Sequence, residues 1–147
     1  MPNKPAPRSL FEDILSRLKA GQLREALTLC DEVLEQFPGD INVLGLKGVA
    51  LADLGDLDNA QAVLEEVIDL APTFAKPYED LGTLLLRKGK ADEAVELLEK
   101  AVRLDPKLEA AHFQLGRAYA SLGRGQEADA AYEKSFELSP VRGLMAQ

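Results

Sequence analysis

Tryptophan is absent from this chain, and cysteine and histidine occur once each, as Cys30 and His112. One thiol cannot close an intramolecular disulfide, and one His with one Cys cannot supply the usual donor set of a zinc site. No apolar run reaches the ~20 uninterrupted residues that a membrane-crossing helix needs, because charged residues break every long one. The start Met1-Pro2-Asn3-Lys4-Pro5-Ala6-Pro7 lacks the apolar core of a secretory signal, so the expected location is the cytoplasm. Positive charge is in the minority. Against 25 Asp and Glu stand 17 Lys and Arg, a net charge of -8, which argues against nucleic acid or an anionic membrane surface as a partner. What the chain does have is 46% apolar and 29% charged residues over 147 positions, enough for one soluble domain of ~100 to 150 residues.

Compared with itself, the sequence matches at an offset of 34 residues without gaps. Gly21, Gly55, Gly89 and Gly123 form one column, Ala26, Ala60, Ala94 and Ala128 a second, and Pro38, Pro72, Pro106 and Pro140 a third. Gly48, Gly82 and Gly116 make a fourth, with Ile14 at the equivalent place in the first copy. The frame divides the chain into a flexible leader (1–6), four repeats (7–40, 41–74, 75–108 and 109–142) and a tail (143–147), which reads as the start of a truncated fifth repeat.

Apolar residues within each copy recur at helical spacing, as in Leu81, Leu84 and Leu85 followed by Ala94, Leu97, Leu98, Ala101 and Val102. Each copy is therefore predicted to be two helices. The invariant glycine lies between them, where positive φ lets the chain leave one helix and begin the next. Proline closes the second, since it lacks an amide donor and disfavours helical geometry in the residue before it. Ser9-Leu10-Phe11-Glu12 fits a capping box and predicts the first helix start there. Gly48, Gly82 and Gly116 on first helices, with Ala60, Ala94 and Ala128 on second helices, predict close approach of antiparallel partners. A lone hairpin cannot bury its apolar face, so hairpins must stack.

These columns resemble the tetratricopeptide repeat (TPR). The third copy matches its pattern through Tyr78, Leu81-Gly82, Leu85, Gly89, Ala94, Leu98, Ala101 and Pro106. The fourth does so through His112, Leu115-Gly116, Tyr119, Gly123, Ala128, Tyr132 and Pro140. The resemblance covers 136 of the 147 residues and implies an all-α, right-handed superhelix, an α-solenoid of four antiparallel hairpins. Copy one departs from the pattern with Asp13-Ile14 and Arg17, and copy two with Lys47. Polar changes in copy one suit an end cap, with Leu10, Ile14 and Leu18 as its buried stripe.

Signals for catalysis are weak. His112 and Cys30 occupy large-residue columns and are expected to pack in hairpin interiors. Asp53 to Asn59 lacks the glycine placement and closing glutamate of a calcium loop and reads as a turn and helix start. The glycines from Gly82 to Lys90 are wrongly spaced for a phosphate loop. The acidic pairs Glu65-Glu66 and Asp92-Glu93 read as solvated faces, with no cleft to perturb them. The chain is therefore expected to be no enzyme and to bind no metal or cofactor.

The resemblance also implies where a partner would sit, because in this family the first helix of each hairpin lines the concave surface. The corresponding contacts are Phe11, Leu15, Asn42, Val49, Lys76, Glu79, Thr83, Leu86, Phe113 and Arg117. Residues at the twelfth place, such as Leu18, Ala52, Leu86 and Ala120, also suit packing between first helices. The places that would grip a chaperone tail's carboxylate hold Gly45, Val49, Asp80, Ala110 and Gln114, so that clamp is missing. The expected function is a non-catalytic scaffold that binds a protein or peptide segment in its groove. One alternative is a recruiting module at the front of a larger bacterial enzyme with a sulfotransferase-like or glycosyltransferase-like domain. Another is homo-oligomerisation through apolar surface around Tyr132, Phe136 and Leu138 at an uncapped end.

Overall fold

The computed structural model describes residues 4–139; Pro140 and the tail at 143–147 lie outside them. The described residues hold eight helices and no strand. The chain divides into two compact units, Met1–Pro72 and Thr73–Gln147.

In the first unit, α1 (Arg8–Lys19) pairs with α2 (Leu23–Gln36), and α3 (Ile41–Asp53) pairs with α4 (Leu57–Leu70). The two hairpins join through α2 against α3, and the two first helices, α1 and α3, also touch. Ile14, Cys30, Val33 and Val43 form the core of the joint, with Leu10, Leu18, Leu29, Leu34, Phe37 and Leu46 packed round it. Lys47, anomalous for its column, extends its ammonium 2.8 Å from Asp31 of α2. Asp40 caps α3: one carboxylate oxygen accepts from the Asn42 and Val43 amides at 3.0 Å. The other accepts from Ala6 at 2.7 Å, which fixes the chain ahead of α1.

The second unit repeats the plan with α5 (Ala75–Arg87), α6 (Ala91–Leu104), α7 (Glu109–Ser121) and α8 (Gly125–Leu138), and α5 touches α7. Leu81, Leu84, Leu98, Ala101, Ala111 and Leu115 are buried there. Two bonds tie helices through polar tips: Tyr119 Oη donates to Glu99 of α6 at 2.8 Å, and Ser135 Oγ donates to Glu109 of α7 at 2.9 Å. Arg124 lies over the Tyr119 ring, 4.7 Å from its centroid. Burial, then the Glu99 bond, pushes the Tyr119 phenol up to about 12.

Every hairpin turns in the same way. Gly21, Gly55, Gly89 and Gly123 have φ between 74° and 89°. The next residue's amide reaches back five positions, for example Gln22 N to Arg17 O at 2.9 Å and Lys90 N to Leu85 O at 2.8 Å. The glycine amide reaches back three, which together satisfy the last carbonyls of the first helix. Second helices end where proline forces the preceding residue out of helical geometry. Phe37, Ala71 and Asp105 have φ of -131°, -140° and -139°.

The close approach between paired helices has a specific partner. A Cβ at Gly48 would lie 2.9 Å from Leu64, one at Gly82 2.6 Å from Leu98, and one at Gly116 2.7 Å from the Tyr132 ring. A large side chain, one turn beyond the recurring alanine, therefore sits directly on the glycine. In the first hairpin the sizes are exchanged, with Ile14 at the glycine place and Cys30 at the place of Leu64, Leu98 and Tyr132. Ile14 and Cys30 are both fully buried.

Two local expectations are corrected. The capping box at Ser9 does not form: Pro7 is the N-cap of α1, and its carbonyl accepts from Leu10 at 3.0 Å. Glu12 instead takes the Arg8 guanidinium at 2.9 Å, one turn away, where both charges stay in water. His112 is half-buried rather than in the core, with Nε2 2.9 Å from the Pro106 carbonyl oxygen. A polar ring near the helix start finds that free carbonyl more cheaply than it loses its water.

Candidate protein-interaction face

In the first unit, Phe11 and Leu15 of α1 and Val49 of α3 are half-buried, and Asn42 at the start of α3 is exposed. Phe11 and Asn42 share an open cleft of about 190 Å³ with Pro5, Ala6, Arg8 and Asp40. Its only guanidinium, that of Arg8, is answered by Glu12. The cleft thus combines an aromatic edge with neutral and paired groups, a surface suited to an apolar side chain.

In the second unit, α5 carries Lys76, Glu79, Thr83 and Leu86, and α7 carries Phe113 and Arg117. Thr83 and Leu86 are half-buried, and Thr83 Oγ1 donates to the Glu79 carbonyl at 2.9 Å. Glu79 is only 5% exposed. Lys76 Nζ bridges Glu79 at 3.2 Å and Asp80 at 3.0 Å. Burial and the neighbouring Asp80 carboxylate push the Glu79 carboxyl up to about 7, against the pull of Lys76. Burial works to lower the Lys76 pKa, but the Asp80 and Glu79 carboxylates raise it on balance. The triad holds its charge within itself. Phe113 and Arg117 stand out from α7: the ring is 44% exposed and the guanidinium bonds to Gln114.

Elsewhere the chemistry is quiet. Cys30 is fully buried, and burial, with Asp31 nearby, pushes its thiol up to about 12, far from a nucleophilic thiolate. Among the described residues, no group of His, Cys, Asp and Glu could hold a metal ion. Two further open clefts, of about 420 Å³ and about 460 Å³, are lined by Arg17, Arg24, Glu25 and Thr28 and by Lys90, Asp92, Glu93 and Ser121, and the Thr28 hydroxyl donates to the Arg24 carbonyl at 3.0 Å.

Several contributors escape a sequence reading. Asp80 completes the Lys76 triad, one residue from a groove place, yet the i,i+4 spacing from Lys76 is a signal that could have found it. Tyr132 holds the Phe113 ring, with centroids 5.7 Å apart and planes tilted by 58°. Asp40, ending the first repeat, is the cap of the next helix, and an Asp just before an apolar-periodic run is an ordinary start signal.

Helical hairpins that recur every 34 residues, each with a positive-φ glycine in its turn, define a TPR-type helical-repeat protein. Solved structures agree. A MamA chain, residues 41 to the end, from Desulfovibrio magneticus RS-1 aligns at a TM-score of 0.77 with 28% identity, over 90% of this chain and 75% of that one. A thermophilic TPR protein of Thermus thermophilus aligns at 0.82 with 24% identity, over 90% and 74%. The family model described as BTAD, bacterial transcriptional activator domain, matches residues 9–139, and the chain belongs to that family. An FK506-binding protein-like protein of Rattus norvegicus is 42% identical over 65 residues, 43% of this chain, and the match spans about a fifth (19%) of the rat protein's length. No helix among the described residues is long and apolar enough to cross a membrane.

Proposed function

We propose that the chain is a non-catalytic scaffold of the bacterial cytoplasm that binds a peptide or protein segment on the first-helix faces of its hairpins. Phe11, Leu15, Asn42 and Val49 supply contacts in the first unit, and Lys76, Thr83, Leu86, Phe113 and Arg117 in the second, with Glu79 seated behind Lys76. The observation that carries this reading is the set of partly exposed apolar side chains on the first helices within each unit, Phe11, Leu15 and Val49 in the first and Leu86 and Phe113 in the second. Such side chains have apolar area left to bury, at roughly 25 cal/mol per Å², and a repeat array offers them on a preformed surface.

Photo-cross-linking tests it. A photoreactive residue at Asn42 or Ala120 should capture a partner from the native cell, while one at Glu66 or Glu96, exposed on the second helices, should not. Equal capture at all four positions would reject the assignment.

A second reading follows from the family's description: the module serves in the control of transcription, as an interaction domain that does not itself touch DNA. The net charge of -8 supports that division of labour, since phosphate contacts need positive charge. Deleting the gene should change transcript levels from a defined set of promoters, and the purified chain should not retard duplex DNA. An unchanged transcript profile would remove this reading.

A further inference from the structure

We infer that Phe113 and Arg117 are the specificity-determining pair of the second unit, and that they read a linear segment in which an Asp or Glu side chain lies near an aromatic or aliphatic one. The inference rests on the protein-binding reading above and gives its partner a chemistry.

Phe113, Arg117 and Ala120 follow one another at helical spacing on α7 and are all exposed, whereas Ala111, Leu115, Gly116, Ala118 and Tyr119 of the same helix are buried. Phe113 and Arg117 therefore share one open face, with Cβ atoms about 6 Å apart.

The ring is held in place. Phe113 leans on Tyr132 at 5.7 Å, and Tyr132 lies over Gly116, where a Cβ would be 2.7 Å from the ring. A glycine on one helix thus seats a tyrosine from the next, and the tyrosine braces an exposed phenylalanine. The equivalent places in the preceding two hairpins hold Leu64 and Leu98, which offer no ring. A braced aromatic surface loses little entropy when a partner covers it.

Charge selects the other half of the ligand. Of the three cations at the candidate contact faces, Arg8 is answered by Glu12 at 2.9 Å, and Lys76 by both Glu79 and Asp80. Arg117 differs. Its Nη1 donates to the neutral Gln114 Oε1 at 2.9 Å, and it has no carboxylate partner among the described residues. That bond steadies the guanidinium and leaves its positive charge uncompensated, a fit for a carboxylate. The surroundings permit an acidic segment, because residues 73–147 hold eleven basic and twelve acidic side chains against six and thirteen in residues 1–72.

The test uses the full chain and short peptides blocked at both ends, each with one Phe or Leu and one Glu at varied separation. Fluorescence anisotropy reads the affinity. At the best separation, Glu→Gln in the peptide and Arg117→Gln in the protein should each weaken binding ~10- to 100-fold, and together little more than either alone. Phe113→Ala should weaken the same peptide, and Arg117→Lys should restore only part of the affinity. Equal affinity of the wild-type chain for Glu and Gln peptides would overturn the inference, and that result needs no variant to fold. Binding confined to peptides with a free C-terminal carboxylate would overturn the side-chain source. If no peptide binds while Asn42 and Ala120 still cross-link a cellular partner, the pair is rejected and the protein-binding reading stands. Loss of both rejects both.

Discussion

Ile14 and Cys30 occupy places that hold Gly48 and Leu64, Gly82 and Leu98, or Gly116 and Tyr132 in the other hairpins. The pair conserves shape by exchanging which helix supplies the bulk. Ile14→Gly alone should cost ~3 to 5 kcal/mol, from lost burial and a flexible backbone position. Cys30→Leu alone should overpack the site and cost ~1 to 3 kcal/mol. The double variant should be more stable than the sum of the two by at least ~1 kcal/mol. Strictly additive losses in urea denaturation would contradict the exchange.

Glu79 makes a second residue-scale statement. Its carboxyl, normally near 4.5, sits at about 7 in the fold because it is buried beside Asp80. Between those values the folded chain holds a proton that the unfolded chain has released. Stability from this group is therefore full below the lower value and falls as pH rises through the upper, by on the order of 3 kcal/mol. Glu79→Gln should match wild type near pH 5 and exceed it near pH 8. A variant less stable at the higher pH would show that the ion pair with Lys76 outweighs burial.

Among elements, α3 depends on a cap from outside its own repeat. Asp40→Ala removes bonds to Asn42, Val43 and Ala6 and should cost ~1 to 2 kcal/mol. It should also speed amide exchange at Ala6, and unchanged exchange there would disprove the tether. Helix ends are the most readable feature of the sequence, because Gly21, Gly55, Gly89 and Gly123 stop the first helices and Pro38, Pro72 and Pro106 stop the second by local sterics alone. The start of α1 misleads because Ser9 and Glu12 carry the capping pattern, while Pro7 already provides a fixed φ and a free carbonyl. The candidate face is less legible. Spacing alone places Phe113 and Arg117 on one side of a helix, but the burial of Glu79 and the bracing of Phe113 by Tyr132 depend on what packs against them.

For the whole molecule, the net charge of -8 implies long-range self-repulsion. Residues 1–72 carry thirteen acidic side chains against six basic ones, and nearly all of the net charge of -8 lies there. Raising NaCl from ~20 to ~300 mM screens charges beyond the nearest neighbours and should raise the melting temperature. A fall would mean that the visible ion pairs outweigh the general repulsion.

The size exchange between Ile14 and Cys30 also restricts how such a gene can change. Duplication of any later copy would transmit a matched pair of helices. A crossover inside the first copy would set Gly against Cys, leaving a void, or Ile against Leu, forcing a collision. Lengthening by whole units is therefore open to this lineage, while shuffling of half-units into or out of the leading hairpin is closed.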